Sequence, residues 1–189
     1  VGKWIIQNAF SMCTECRKYY PEFRVSINLS YVQILKSPLM MELKQMIEHS
    51  GISCSGIIVE LTESGYLEGT PAVRSVWNDM KQLRIQIALD DFGTGYSNLM
   101  NISNLEPDIV KLDRGFTLKA LSRSYEYQLM QYVIEMVHKL NQYVCVEGVE
   151  TKEDLEKIKA LGPDLIQGYY YSKPCSRDEF LKKFFGYSE

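Results

Sequence analysis

The sequence is poor in several things at once. Two histidines, two tryptophans and six prolines stand in 189 residues, and no run approaches the roughly 18 uninterrupted apolar residues of a membrane span. No signal peptide opens the chain, and a start at Val1 rather than Met suits a segment of something longer. A basic excess is also missing, because 21 Lys and Arg against 24 Asp and Glu give a formal charge of −3. Such a balance excludes a protein that grips a nucleic-acid backbone by counterion release, so DNA and RNA are not expected partners. Any anionic ligand needs a local device such as a metal. A composition 46% hydrophobic and 24% charged excludes disorder and describes one soluble domain over residues 1–189. Its expected location is the cytoplasm, without membrane contact.

Five cysteines, at 13, 16, 54, 145 and 175, cannot all pair internally, and their scatter through apolar stretches suits reduced thiols. Cys13 and Cys16 form a lone C-x-x-C. No second Cys or His pair completes a zinc site, and three-residue spacing in a helical pattern puts both on one face, so packing is favoured over redox work.

Apolar runs and helical patterns alternate along the chain. Residues 1–20 read as a helix closed by Pro21, 24–29 as a strand, 37–50 as a helix with Ser37 as N-cap, and 57–62 as a strand. A helix over 70–83 precedes a strand at 86–90 that ends in Asp90-Asp91-Phe-Gly-Thr-Gly95, and a short helix near Ser97 leads to a strand at 109–113. The amphipathic stretch 122–140, a strand at 143–147, a helix from Thr151, a strand at 165–169 and a last helix through Phe184 complete the order. Strands separated by helices imply crossover units and a parallel sheet.

Polar residues recur at the strand ends: Asn28, Glu60, Asp90 with Asp91, Lys111 with Asp113, Glu147 and Gln167. In a TIM-like (β/α)8 barrel those ends converge on one mouth, whereas an open sheet gathers only some of them at a switch point. The barrel is therefore the expected fold. It needs eight strands and about 250 residues, so with about six units present the domain is incomplete, and the deficit falls at the N-terminus.

Glu60, Asp90, Asp91, Glu147 and Glu150, joined by the amide of Asn28, are hard oxygen donors that suit Mg²⁺ or Mn²⁺. Gathered carboxylates repel one another unless cations neutralise them, and two metals about 4 Å apart are a known device for phosphodiester hydrolysis. A plainer reading stands beside this one, since an acid that ends a strand is often a helix N-cap, as for Asp91 or Glu63. Glu60 and Lys111 are different, being embedded in apolar runs where an unpaired charge is costly. The tyrosines 169–171 alternate faces and read mostly as packing.

Six blocks carry a more specific signal: Ser26-Ile-Asn28-Leu-Ser30, Glu60-Leu-Thr-Glu63-Ser64, Ala88-Leu-Asp90-Asp91-Phe-Gly-Thr-Gly95-Tyr-Ser97, Val110-Lys111-Leu-Asp113-Arg114, Glu147-Gly-Val-Glu150-Thr151 and Gln167-Gly-Tyr. In this order they resemble the signature blocks of the EAL family, which hydrolyses the bacterial second messenger cyclic di-GMP on a (β/α)8 barrel with two Mg²⁺ or Mn²⁺. The resemblance implies metal ligation by Asn28, Glu60, Asp90 and Asp91, with Glu150 near the metals. It implies that Lys111 orients the attacking water, that Glu147 is a general base or sits at the metal centre, and that Gln167 and Asp113 bind substrate. Glu63 would brace the loop 91–97, which in the family also serves a homodimer contact. The implied product is linear pGpG, and the implied partners are cyclic di-GMP and other signalling domains of the parent protein.

The Glu-Ala-Leu block itself lies upstream of Val1 in that family, so a chain starting here is expected to bind metal poorly and turn over slowly. Two other readings remain at this level. A receptor or regulatory module would bind the dinucleotide without cleaving it, although it would not need the full set of acids. An aldolase or lyase would use Lys111 as a Schiff base.

Overall fold

The computed structural model describes residues 2–30, 33, 38–62, 71–94, 102 and 105–186. The chain divides into two compact units: Val1–Glu60 with Glu68–Ile87 and Pro174–Glu189, and Leu61–Leu67 with Ala88–Lys173. Among the described residues no helix is long and apolar enough to cross a membrane.

In the first unit, α1 (Gly2–Cys16) buries Ile6, Phe10, Cys13 and Cys16, a single stripe at helical spacing. Both cysteines are fully buried, and Cys13 Sγ donates to the carbonyls of Phe23 at 3.7 Å and Gly56 at 3.6 Å. Burial, with the Cys13 sulfur and the Glu15 carboxylate beside it, pushes the Cys16 thiol up to about 11. These are packing groups, because a thiol held protonated is neither a nucleophile nor a metal ligand.

β1 (Val25–Asn28) pairs in parallel with β2 (Ile57–Thr62), from Val25 opposite Ile57 to Asn28 opposite Glu60. α2 (Leu39–Ser50) turns Leu39, Leu43 and Met46 inward and stops at Gly51, whose φ of 66° is left-handed and whose N–H donates to Ile47 O. α3 (Pro71–Gln82) buries Val73, Trp77 and Met80. α7 (Arg177–Phe185) starts at a reciprocal Ser176–Glu179 cap. It packs Phe180 and Phe185 against Phe23, and its Arg177 pairs with Glu15 of α1.

β3 (Gln86–Phe92) begins in the first unit and continues in the second. There it pairs in parallel with β4 (Ile109–Leu112), which pairs with β5 (Tyr143–Val146), and β5 pairs with β6 (Leu165–Ile166). Leu89, Val110, Leu112, Val144 and Val146 are fully buried, each contributing about 1.5–3 kcal/mol relative to exposure. α5 (Ser124–Lys139) covers them with Met130, Ile134 and Val137, and α6 (Lys152–Lys159) with Leu155 and Ile158. Such apolar strands, covered by helices, are what parallel sheets require.

The structure differs from the sequence reading in three places. Residues read as connection between 113 and 122 form α4 (Arg114–Ser122), capped by Asp113, and Arg123 breaks the chain before α5 with an extended φ of −139°. α4 buries Phe116, Thr117 and Ala120, and the glycine and threonine in so short a helix blur its apolar period. β6 is two residues long rather than five, because Gly168 turns the chain back so that Tyr170 N–H reaches Val149 O at 3.0 Å. The tyrosines 169–171 therefore do not alternate across a strand; all three are exposed, with the Tyr170 and Tyr171 rings edge to face at 5.2 Å. Ser37, Thr70, Ser97 and Glu63 lie outside the described residues.

Candidate functional site

Parallel strands end together, so the residues just past their C-termini are neighbours. In the second unit the ladder is regular as far as Leu89 opposite Val110, then slips, and Phe92 rather than Asp91 stands opposite Leu112. Asp90 and Asp91 together oppose Lys111, which makes a β-bulge. Asp91 takes the left-handed turn that this needs, with φ 61°, a conformation aspartate tolerates better than most residues. The bulge leaves Asp91 exposed and Asp90 half-buried.

Lys111, the charged member of a strand whose four residues are all buried, answers two carboxylates. Its Nζ lies 2.9 Å from Asp90 Oδ1 and 2.7 Å from Glu147 Oε1, and its side chain is only 6% exposed. Glu147 follows β5 directly, and its N–H continues the ladder to Leu112 O at 3.1 Å. The contact with Asp90 is one of charge, and the buried Asp90 Oδ1 has no aligned hydrogen-bond donor among the described residues. A nitrogen engaged by two carboxylates is not a free amine, which argues against a Schiff-base lysine.

Glu150 pairs with a different cation. Its Oε1 accepts from Arg114 Nη2 at 2.7 Å and Nε at 3.2 Å, and the Arg114 guanidinium is held above its ordinary value by that carboxylate. Asp113 Oδ1 accepts from Gly115 N–H at 2.7 Å, so its side chain caps α4. Gln167 is tied by its backbone, donating to Val146 O at 2.8 Å and accepting from Val149 N–H at 3.3 Å. Arg114 lay inside a quoted block, and sequence reasoning gave it no role.

In the first unit the exposed Asn28 and the buried Glu60 are register partners at the ends of β1 and β2. Leu29 N–H donates to Glu60 O at 3.0 Å, and the Ser26 hydroxyl donates to Glu60 Oε1. The buried carboxylate thus has a neutral donor at that oxygen.

Among the described residues no three His, Cys, Asp or Glu side chains gather as a metal-binding group. The donors that are present nevertheless fit a hard divalent cation: they are carboxylate oxygens, and Asp90 Oδ1 is buried without a directed donor. Lys111 Nζ meets two of the carboxylates, Asp90 and Glu147.

An acid–ammonium cluster at the C-terminal ends of parallel, helix-covered strands accords with an incomplete TIM-like α/β barrel. The solved EAL enzyme Bd1971, bound to cAMP and cyclic di-GMP, superimposes with a TM-score of 0.90 at 29% identity, over 96% of this chain and 50% of that one. Klebsiella pneumoniae BlrP1, solved as a calcium and cyclic di-GMP complex, shares the fold with a TM-score of 0.84 at 24% identity, over 93% of this chain and 44% of its own. The EAL domain family matches residues 1–174, and the chain belongs to that family. Cyclic di-GMP phosphodiesterase PdeF of Escherichia coli is 30% identical over 174 residues, 92% of this chain and 23% of PdeF. The chain spans about a quarter of the length of the curated relatives it matches.

Proposed function

We propose that this chain is a single EAL domain, part of a metal-dependent phosphodiesterase that opens cyclic di-GMP to linear pGpG. The observation that carries the reading is Lys111 holding both Asp90 and Glu147 at the strand ends in a chain of the EAL family. PdeF and the cyclic di-GMP-bound Bd1971 support the choice of substrate.

Asn28, Glu60, Asp90 and Asp91 are the candidate holders of two Mg²⁺ or Mn²⁺ ions. Bound divalent cations supply charge neutralisation at the phosphate and a more acidic water. Glu147 receives the proton of the attacking water at a carboxylate oxygen, and Lys111 Nζ, already paired with Glu147, orients that water and steadies the developing charge. Gln167 lies beside the nucleotide. Asp113 takes part through the placement of α4, and Glu150 through its pairing with Arg114. Glu63 braces the loop 91–97, through which two copies associate, and other signalling domains accompany this one in the parent protein.

The test is pGpG release by the protein with Mg²⁺, with Mn²⁺ and with chelator. Release should require the metal, and Glu147→Gln should abolish turnover while leaving cyclic di-GMP binding intact. Tight binding with no cleavage under any metal would establish a receptor instead.

A further inference from the structure

We propose that Arg114 is a positioning residue for Glu147, clamping the segment 147–150 against the end of β4; this rests on the phosphodiesterase reading. At the C-terminal end of the β4–β5 ladder the backbone hydrogen bonds are joined by charge. Lys111 meets Glu147 at 2.7 Å, and Arg114 meets Glu150 at 2.7 Å. Each rung joins residues 36 positions apart, so two cations spaced by three residues face two acids with the same spacing.

Between the rungs the backbone leaves no slack. Gly148, at φ 78°, lays its bare Cα on the arginine stem. A Cβ built there would come 2.4 Å from Arg114 Cγ, 2.9 Å from its Cβ and 3.1 Å from its Cα. Arg114 therefore holds the segment at two points, by backbone contact at Gly148 and by ion pair at Glu150.

The arginine is itself anchored. It opens α4 immediately after Asp113, whose N–H donates to Phe92 O at 3.0 Å and whose Oδ1 accepts from Gly115 N–H at 2.7 Å. The ends of β3 and β4 thus fix Arg114, and Arg114 fixes the segment that carries the proposed base. As an exposed pair it adds little to global stability. Its effect lies in where Glu147 points, and reaction rates are steeply sensitive to misplacement of about 1 Å.

The experiment compares Arg114→Ala, Arg114→Lys, Glu150→Gln and the Arg114→Ala/Glu150→Gln double variant with the parent protein. It reads cyclic di-GMP hydrolysis, Tm, and amide hydrogen exchange at residues 147–150. In Arg114→Ala, exchange at Gly148 and Glu150 should rise about tenfold while β4 is spared. The kcat should fall about tenfold with KM held within about twofold and Tm nearly unchanged. The double variant should be no slower than the worse single variant, and Arg114→Lys, which keeps stem and charge, should retain most of the rate. A raised KM at unchanged kcat would make Arg114 a substrate contact, and multiplicative losses would uncouple it from Glu150; either overturns the proposal. Unchanged exchange at 147–150 overturns it independently of activity. If exchange rises as expected but no variant, nor the parent, cleaves cyclic di-GMP, the clamp stands as a structural device, and both the phosphodiesterase reading and the positioning role built on it fall.

Discussion

The strand pairs β1–β2 and β3–β4 end differently. The first runs in unbroken register to Asn28 opposite Glu60, and its buried acid is met by a serine hydroxyl. The second slips at Asp90–Asp91, so that two consecutive acids stand opposite one lysine, and its half-buried Asp90 is met by an ammonium. A regular ladder can present only alternate residues to one face. A bulge removes that restriction at the cost of one left-handed residue, and here that residue is Asp91.

The largest expected effect comes from breaking the second arrangement. Lys111→Met leaves the half-buried Asp90 and Glu147 without that ammonium and should cost about 3 kcal/mol in urea unfolding. Its counterpart, Ser26→Ala, removes only a neutral donor from Glu60 and should cost about 1 kcal/mol. Equal costs for the two would erase the distinction between the strand pairs.

Next in size is Gly168→Ala, whose methyl group would fall 2.0 Å from Val149 O and 2.5 Å from Val149 N. Backbone must move to admit it, and a loss of about 1–3 kcal/mol is expected by thermal or chemical denaturation. Gly162→Ala is the control, because its φ of 75° is left-handed but nothing lies within 4 Å of the added carbon. It should lose only about 1 kcal/mol.

Alkaline pH probes the first unit separately. The Cys16 thiol is raised from 9.0 to about 11 in the folded chain, so folding favours its protonated form. That contribution is complete below pH 9 and is lost as pH climbs toward 11, amounting to about 2–3 kcal/mol at most. Tm should therefore fall over that window by less in Cys16→Ala than in the parent, each variant referred to its own value at pH 8. The smallest expected signal is chemical: at pH 8 iodoacetamide should label the exposed Cys175 and spare Cys13 and Cys16.

Much of this was legible from residue order. The boundaries 57–62 of β2 coincide with the sequence reading, since a β-branched run bounded by turn residues has few alternatives. Lys111 was legible for a physical reason, because a charge inside an apolar run must find a partner, and it finds two. The double aspartate was visible as a pair of acids. The bulge was not, because register belongs to the partner strand as much as to its own. Asp113 and Glu150 carry contacts that residue order did not show: one caps α4 and the other holds Arg114. A carboxylate next to a helix start serves a backbone N–H as readily as a ligand, and sequence spacing does not say which donor is nearer.

The shielding of Lys111 carries a spectroscopic consequence. Ammonium protons on surface lysines are swept away by water before they can be observed, but a head group enclosed by two carboxylates and nearly dry should keep its protons long enough to give a distinct nitrogen-correlated resonance. That single signal would register the entry of a cation, a nucleotide or an inhibitor into the cluster, without a dye, a label or any turnover.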